Sequence, residues 1–275
     1  MTNAEPSPEL GPGIYSQIRE DDYHADRVTA PELGPTLSSS GAKALLDCPA
    51  RYRHNLDHPP TKRVWDKGAI AHALILRNPD HRIRIADTRD WRQRAWQTWR
   101  DDTHSQGLVP IHRGDLATAS HIAAAVRRHP IASKALTGGD AEQSIYWIDP
   151  ATGIACRGRI DYLRPDLIID VKTIVRADET TITRQSANFG YAQQAEWYQR
   201  GIEAITGQKV PFVHVFVESE APHLVHVAQL SDDFLAYGRD RNNEALALFA
   251  QCQHTGEWPG YGDTEITLIH PPYWL

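Results

Sequence analysis

The stretch "GRIDYLRPDLIIDVKT", residues 158–173, constrains the fold more than any other. Two strand-like runs, 154–163 and 167–174, are separated only by Arg164, Pro165 and Asp166 or part of them. So short a connection joins antiparallel neighbours, because parallel strands need a crossover of a dozen or more residues. The sequence therefore predicts a hairpin. Its Leu-Ile-Ile run reads as a central strand buried on both faces. Side chains alternate along a strand, so Asp170 and Lys172 point to one face, with Asp161 near the end of the neighbouring strand. Two carboxylates at one partly buried edge repel each other. A divalent cation with hard-oxygen preference, Mg²⁺ or Mn²⁺, removes that repulsion. A lysine beside it lowers the pKa of a water or stabilises charge on a phosphoryl oxygen. A lone Asp-x-Lys is more often a structural ion pair at a strand edge, so the context has to decide.

Around the hairpin the texture changes once. Before it come helices: a Ser-capped one opening "LSSSGAKALLDC", a second begun by Pro49, an apolar one over 65–78, a Trp-rich one over 90–102 and an Ala-rich one over 114–130. From residue 142 the alternating, aromatic "EQSIYWID" reads as a strand, followed by the hairpin, a long helix over 188–206, strands over 210–219 and 223–230, and a closing helix over 232–253. Residues 1–35, with five prolines, read as a flexible lead-in. The expected class is mixed α/β (α+β), with one domain over 36–275, a helical N-terminal part and a central mixed sheet flanked by helices.

Composition narrows the chemistry. Three well-separated cysteines form no CxxC, so a disulfide framework, a structural zinc and a four-cysteine cluster are not expected, and a reducing cytoplasm fits. No apolar run approaches the roughly 20 residues needed to cross a bilayer, and the start of the chain lacks the pattern of a secretory signal. The net charge is -6, yet residues 43–100 carry thirteen Lys/Arg against six Asp/Glu. That split is compatible with a phosphate-binding face on an acidic protein, or with a solvated helical surface.

Two further features matter in combination. His72 is the one polar intruder on the apolar helix; such a histidine is more often a satisfied core residue, but its neutral ring can ligate a metal. Gln194 and Tyr198, four apart on the long helix, share a face. The ordered set Gly68–His72, Gly158–Asp161, Asp170–Lys172 and Gln194–Tyr198 resembles the PD-(D/E)XK nucleases of the RecB type. The stretches "WDKGAIAHALIL", "EQSIYWIDPATGIACRGRIDYL" and "YAQQAEWYQRGIEA", with the late "EWP", are similar to the RecE-type, exonuclease VIII-like branch, over nearly the whole chain from about residue 36.

That resemblance implies a PD-(D/E)XK core and a role for each position. Asp161 and Asp170 would be metal ligands and catalytic carboxylates, with the Val171 carbonyl and His72 completing the metal shell. Lys172 would be the catalytic lysine, and Gln194 and Tyr198 would position the substrate strand. Glu142 would support the site from behind or make a fold salt bridge. Arg157, Arg159, Arg51 and Tyr52 are candidate DNA contacts, the first two equally readable as offsets to the carboxylates. Trp91, Trp96 and Trp99 suit stacking on bases but read more readily as core. The implied activity is Mg²⁺-dependent exonuclease action on double-stranded DNA ends, 5′ to 3′. The implied partners are a RecT-like annealing protein and further copies of the chain in a ring-like homo-oligomer. A restriction-type or structure-specific endonuclease on the same fold, and a non-catalytic DNA-binding module, are the alternatives.

Overall fold

The computed structural model describes residues 10–26, 33–58, 67–76, 83–88, 90, 92–106, 108–262 and 266–271. The N-terminal half runs β1 (Gly13–Tyr15), α1 (Glu20–His24), β2 (Leu37–Ser38), α2 (Ser39–Asp47), α3 (Pro49–Asp57), α4 (Lys67–Leu76), β3 (Ile83–Ala86), α5 (Arg94–Ser105), β4 (Val109–His112), α6 (Arg113–Arg128) and α7 (Pro130–Ala135). The C-terminal half runs β5 (Asp140–Ile148), β6 (Ala155–Arg164), β7 (Leu167–Ile174), α8 (Glu179–Asn188), α9 (Tyr191–Thr206), β8 (Phe212–Glu218), β9 (Val225–Ala228) and α10 (Asp232–Thr255).

The hairpin forms as the short turn requires: β6 and β7 pair antiparallel from Tyr162↔Ile169 to Arg164↔Leu167. Beyond that the strands part, and β2 pairs in parallel with the freed start of β6, at Leu37↔Cys156 and Ser38↔Arg157. The main sheet has the order β1-β5-β6-β7-β8-β9. β7 and β8 are parallel from Ile168↔Phe212 to Ile174↔Glu218, and α8 and α9 supply the crossover that parallel pairing needs. The mixed sheet carries helices on both faces. Ile168 faces the core built with Trp197, Phe249 and Leu45, whereas Ile169 faces the one built with Ile70, Ile122 and Val215. Both are fully buried, which is why β7 is an unbroken apolar run.

Several expectations are corrected. Residues 10–26 are not a flexible lead-in: β1 extends the sheet edge against β5, and Tyr23 is buried beneath Arg157. Residues 1–9 and 27–32 lie outside the described residues. The helix expected over 188–206 is α9 alone, and α8 precedes it; its Thr-rich segment has poor intrinsic propensity but is started by the Asp178 side chain, which accepts from Thr181 N at 3.0 Å. The Ala-rich helix ends at Arg128, before Pro130, and Pro130 opens a further short helix, α7, at its first turn. β3 and β4 form a separate two-stranded parallel sheet that the sequence reading missed. The expected apolar helix is described as Lys67–Leu76 and the Trp-rich helix as Arg94–Ser105; Trp91 lies outside the described residues.

Candidate active site

The place where β6 and β7 part is where the charged side chains meet. With no strand partner there, the Val171 N–H is taken by Asp161 Oδ2 at 2.7 Å, so a side chain stands in for the missing ladder bond. The same oxygen lies 2.9 Å from His72 Nε2, presented by α4 from the opposite layer. Asp170, 1% exposed, is held by two side chains. Lys172 Nζ lies 2.8 Å from its Oδ1 and 2.6 Å from its Oδ2. Gln194 Nε2 donates to Oδ1 at 2.9 Å and sits 3.4 Å from Tyr198 Oη. Alternation along β7 and the one-turn spacing on α9 thus deliver the side chains as their periodicities require.

Gly158 explains why α9 can come so close. A Cβ there would lie 2.9 Å from the Tyr198 ring, so only a glycine lets that ring rest on β6. Tyr198 is buried, and the loss of hydration raises its hydroxyl well above the ordinary tyrosine range, so it stays protonated.

The electrostatics follow from burial and proximity. Burial disfavours the His72 imidazolium, but the charge and hydrogen bond of Asp161, then Glu142 and Asp170, outweigh it and lift His72 to about 9. Burial works against the Asp161 carboxylate too, yet His72 and Lys172 win and hold it below the usual carboxylate range. For Asp170 burial prevails: the carboxyl rises to about 6 despite Lys172, with Asp161 adding repulsion. Lys172 is raised, because Asp170 and Asp161 outweigh its own desolvation.

The donor set suits a hard divalent cation in chemistry. Asp161 and Asp170 offer hard oxygens, and Asp170 Oδ2, though buried, has no aligned hydrogen-bond donor; the Lys172 ammonium approaches it off the lone-pair directions. As the side chains stand, His72 and Lys172 cap the two carboxylates, and among the described residues no three His, Cys, Asp or Glu side chains are set around a common centre. Coordination would require the His72 imidazolium to release its proton and the carboxylates to turn from these partners.

The remaining candidates divide. Glu142 sits on β5, on the strand paired with the one that carries Asp161, with a left-handed φ of 53° that only a few non-glycine residues adopt. Its Oε2 accepts from Arg159 Nε at 2.6 Å and its Oε1 lies 3.8 Å from His72 Nδ1. It therefore both closes a fold salt bridge and backs His72. Arg157 and Arg159 are corrections as DNA contacts. Arg157, 7% exposed, spends its guanidinium on Asp26 and on Thr36. Arg159 is spent on Glu142 and on the Ile18 carbonyl. Tyr52 is likewise a core residue, packed on Phe249 and Trp258. Arg51 is on the surface, paired to Asp47 at 2.8 Å and lying over Tyr261. Trp96 and Trp99 pack edge-to-face at 5.6 Å, half-buried on α5.

Three neighbours of the cluster escaped sequence reasoning. Tyr191 lies under the Lys172 ammonium, 5.3 Å from Nζ to ring centre; its place three residues before Gln194 was the available signal. His214 is beside Asp170 in the β7–β8 register, fully buried, and pulled down to about 3 by desolvation and Lys172. Lys43, on α2, is pulled down to about 8 by burial and by Lys172 against the pull of Asp170. Only the assembled fold brings the last two here.

Residues 38–268 match the family described as a PDDEXK-like domain of unknown function (DUF3799). The chain belongs to this family. The match spans most of the chain and includes all the clustered residues, in agreement with the RecE-type resemblance in the sequence. No curated protein matches the chain. Among solved structures it is similar to a candidate exonuclease from Eubacterium rectale, with a TM-score of 0.62 and 13% identity over 94% of this chain and 97% of that one. An alkaline exonuclease from Laribacter hongkongensis is also similar, at a TM-score of 0.30 and 13% identity over 70% and 92% of the two chains. The chain thus has the PD-(D/E)XK nuclease fold. None of the helices among the described residues is long and apolar enough to cross a membrane.

Proposed function

We propose that the chain is a divalent-metal-dependent exodeoxyribonuclease that degrades one strand of linear duplex DNA 5′ to 3′, leaving 3′ tails. The observation that carries this reading is the convergence of Asp161, Asp170, Lys172, His72, Gln194 and Tyr198 from two strands and from helices of both layers on one strand edge. The likeness to a candidate exonuclease and the RecE-type motifs support it. Asp161, Asp170, the Val171 carbonyl and His72 would hold Mg²⁺, or Mn²⁺ in its place, which supplies Lewis-acid polarisation at the phosphodiester.

The chain's own residues do the rest. Lys172 keeps its proton at Nζ and presents a positive charge to the phosphoryl oxygen, where charge builds in the transition state. Gln194 fixes the rotamer of Asp170. Tyr198, protonated, offers its hydroxyl beside Gln194. The 3′ tails would pass to a RecT-like annealing protein in the cytoplasm, and a ring of several copies would keep the enzyme on its DNA. Residues 36–275 act as the nuclease domain in this reading.

The test is end-labelled linear duplex DNA beside a covalently closed circle of the same sequence, with Mg²⁺ and with excess EDTA. Expected are loss of the linear form only, early release of 5′ label, and no cutting in EDTA. Cutting of the circle would convert the reading to an endonuclease; full activity in EDTA would remove the metal.

A further inference from the structure

Beside the charged cluster, aromatic rings form a column that runs from the core to the surface. Phe216 and His214 lie fully buried on β8, stacked at 5.4 Å. Tyr191 packs on them at 6.1 and 5.7 Å. Phe189, at the turn between α8 and α9, stacks on Tyr191 at 6.0 Å with the planes 30° apart. Phe189 is 57% exposed, so the outer end of the column meets water.

The same corner carries an unsatisfied cation. Lys43 Nζ donates to the Phe189 carbonyl at 3.0 Å and, among the described residues, has no carboxylate partner. A protonated lysine here keeps two further N–H groups for an anion. The Lys172 ammonium rests on the Tyr191 ring, so the column stands directly against the proposed cleavage site. Leaving a large aromatic ring in water forgoes its burial, and an unpaired base laid on it would recover that burial while its backbone came within reach of Lys43.

We propose that Phe189 and Lys43 form a nucleotide subsite. Phe189 is the stacking platform for an unpaired base of the strand being cut, and Lys43 contacts an adjacent backbone phosphate. The inference rests on the phosphodiester-cleaving reading above. Every base has a π-face, so such a platform selects unpaired bases rather than a sequence. A duplex end must then open by at least one base pair before its strand reaches Asp170 and Lys172.

The experiment compares binding of a fluorescein-labelled single-stranded octanucleotide with that of an abasic oligomer of the same length, in Ca²⁺. Phe189→Ala should weaken binding of the intact strand about tenfold, within the range for one lost base stack, and Phe189→Trp should restore it. The abasic strand should bind wild type and Phe189→Ala alike. Lys43→Gln should weaken both strands and flatten the salt dependence by about one phosphate contact. Equal losses on intact and abasic strands, no loss on either, or no binding of the intact strand by wild type would overturn the subsite. Cleavage of linear duplex by the same proteins separates the two readings. A wild type that cuts DNA while Phe189→Ala shows no base-dependent loss refutes the subsite alone. Base-dependent binding without any cutting refutes the nuclease and leaves the subsite.

Discussion

Replacing Lys172 by Ala tests whether the cluster performs chemistry or merely holds two strands together. In the structure its ammonium is the cation nearest a carboxylate that is 1% exposed, at 2.6 and 2.8 Å from the two oxygens. Two separate losses follow. The first is in stability: orphaning one partner of a buried pair costs about 3–5 kcal/mol. Asp170 already titrates near 6, so at pH 7 it can take up a proton once Lys172 is gone, which holds the cost to the lower end of that range. At about 2–4 °C per kcal/mol, the melting temperature should fall on the order of 10 °C.

The second loss is in rate. A positioned charge aimed at the phosphoryl oxygen works in the transition state, so its removal should cost at least roughly 10²-fold in single-turnover cleavage at saturating Mg²⁺. DNA affinity measured in Ca²⁺ should stay close to wild type, because the carboxylates remain. Asp170→Asn should instead lose metal affinity and rate together. A Lys172→Ala protein that melts early but cuts at the normal rate per folded molecule would reduce the Asp-x-Lys to an ion pair and remove the proposed mechanism.

Three further outcomes are expected. Gly158→Ala pushes a Cβ to 2.9 Å from the Tyr198 ring; it should lower the melting temperature and, by displacing Tyr198 from Gln194, also slow cleavage at constant metal affinity. Gly238→Ala drives a Cβ into the Ala192 carbonyl where α10 crosses α9 and should cost about 1–3 kcal/mol in denaturant unfolding; per-molecule cleavage should be unchanged in the folded fraction. Lys43, facing Lys172 and Asp170, has a folded-state pKa of about 8, below its unfolded 10.5. The unfolded chain then binds the extra proton between these values, so this residue's destabilisation is present below about 8 and is relieved as pH rises toward 10.5. Lys43→Met should accordingly melt above wild type at pH 7, with the gap closing by pH 10.5; an unchanging gap would contradict the assigned pKa.

Much of the site was legible in one dimension because two periodicities place it. The alternation of β7 puts Asp170 and Lys172 on one face, and the helical repeat puts Gln194 and Tyr198 on another, whatever the rest of the chain does. The turn between 163 and 167 is too short for anything but a hairpin, so Asp161 had to be near β7. Local pattern also explains the misreadings: a Thr-rich segment with weak helical propensity hid α8, and prolines disguised residues that in fact extend the sheet. Parity alone could not say which of the residues near Asp161 faced the cluster. Arg157 and Arg159 share its strand yet turn to the N-terminal segment, where Asp26, Thr36 and the Ile18 carbonyl take up their guanidinium groups. Burial of Tyr52, the approach of His72 from the opposite layer, and the arrival of His214 and Lys43 near Asp170 depend on contacts far apart in sequence. No local pattern encodes those contacts: they arise only when the β7–β8 crossover closes and both faces of the sheet are covered.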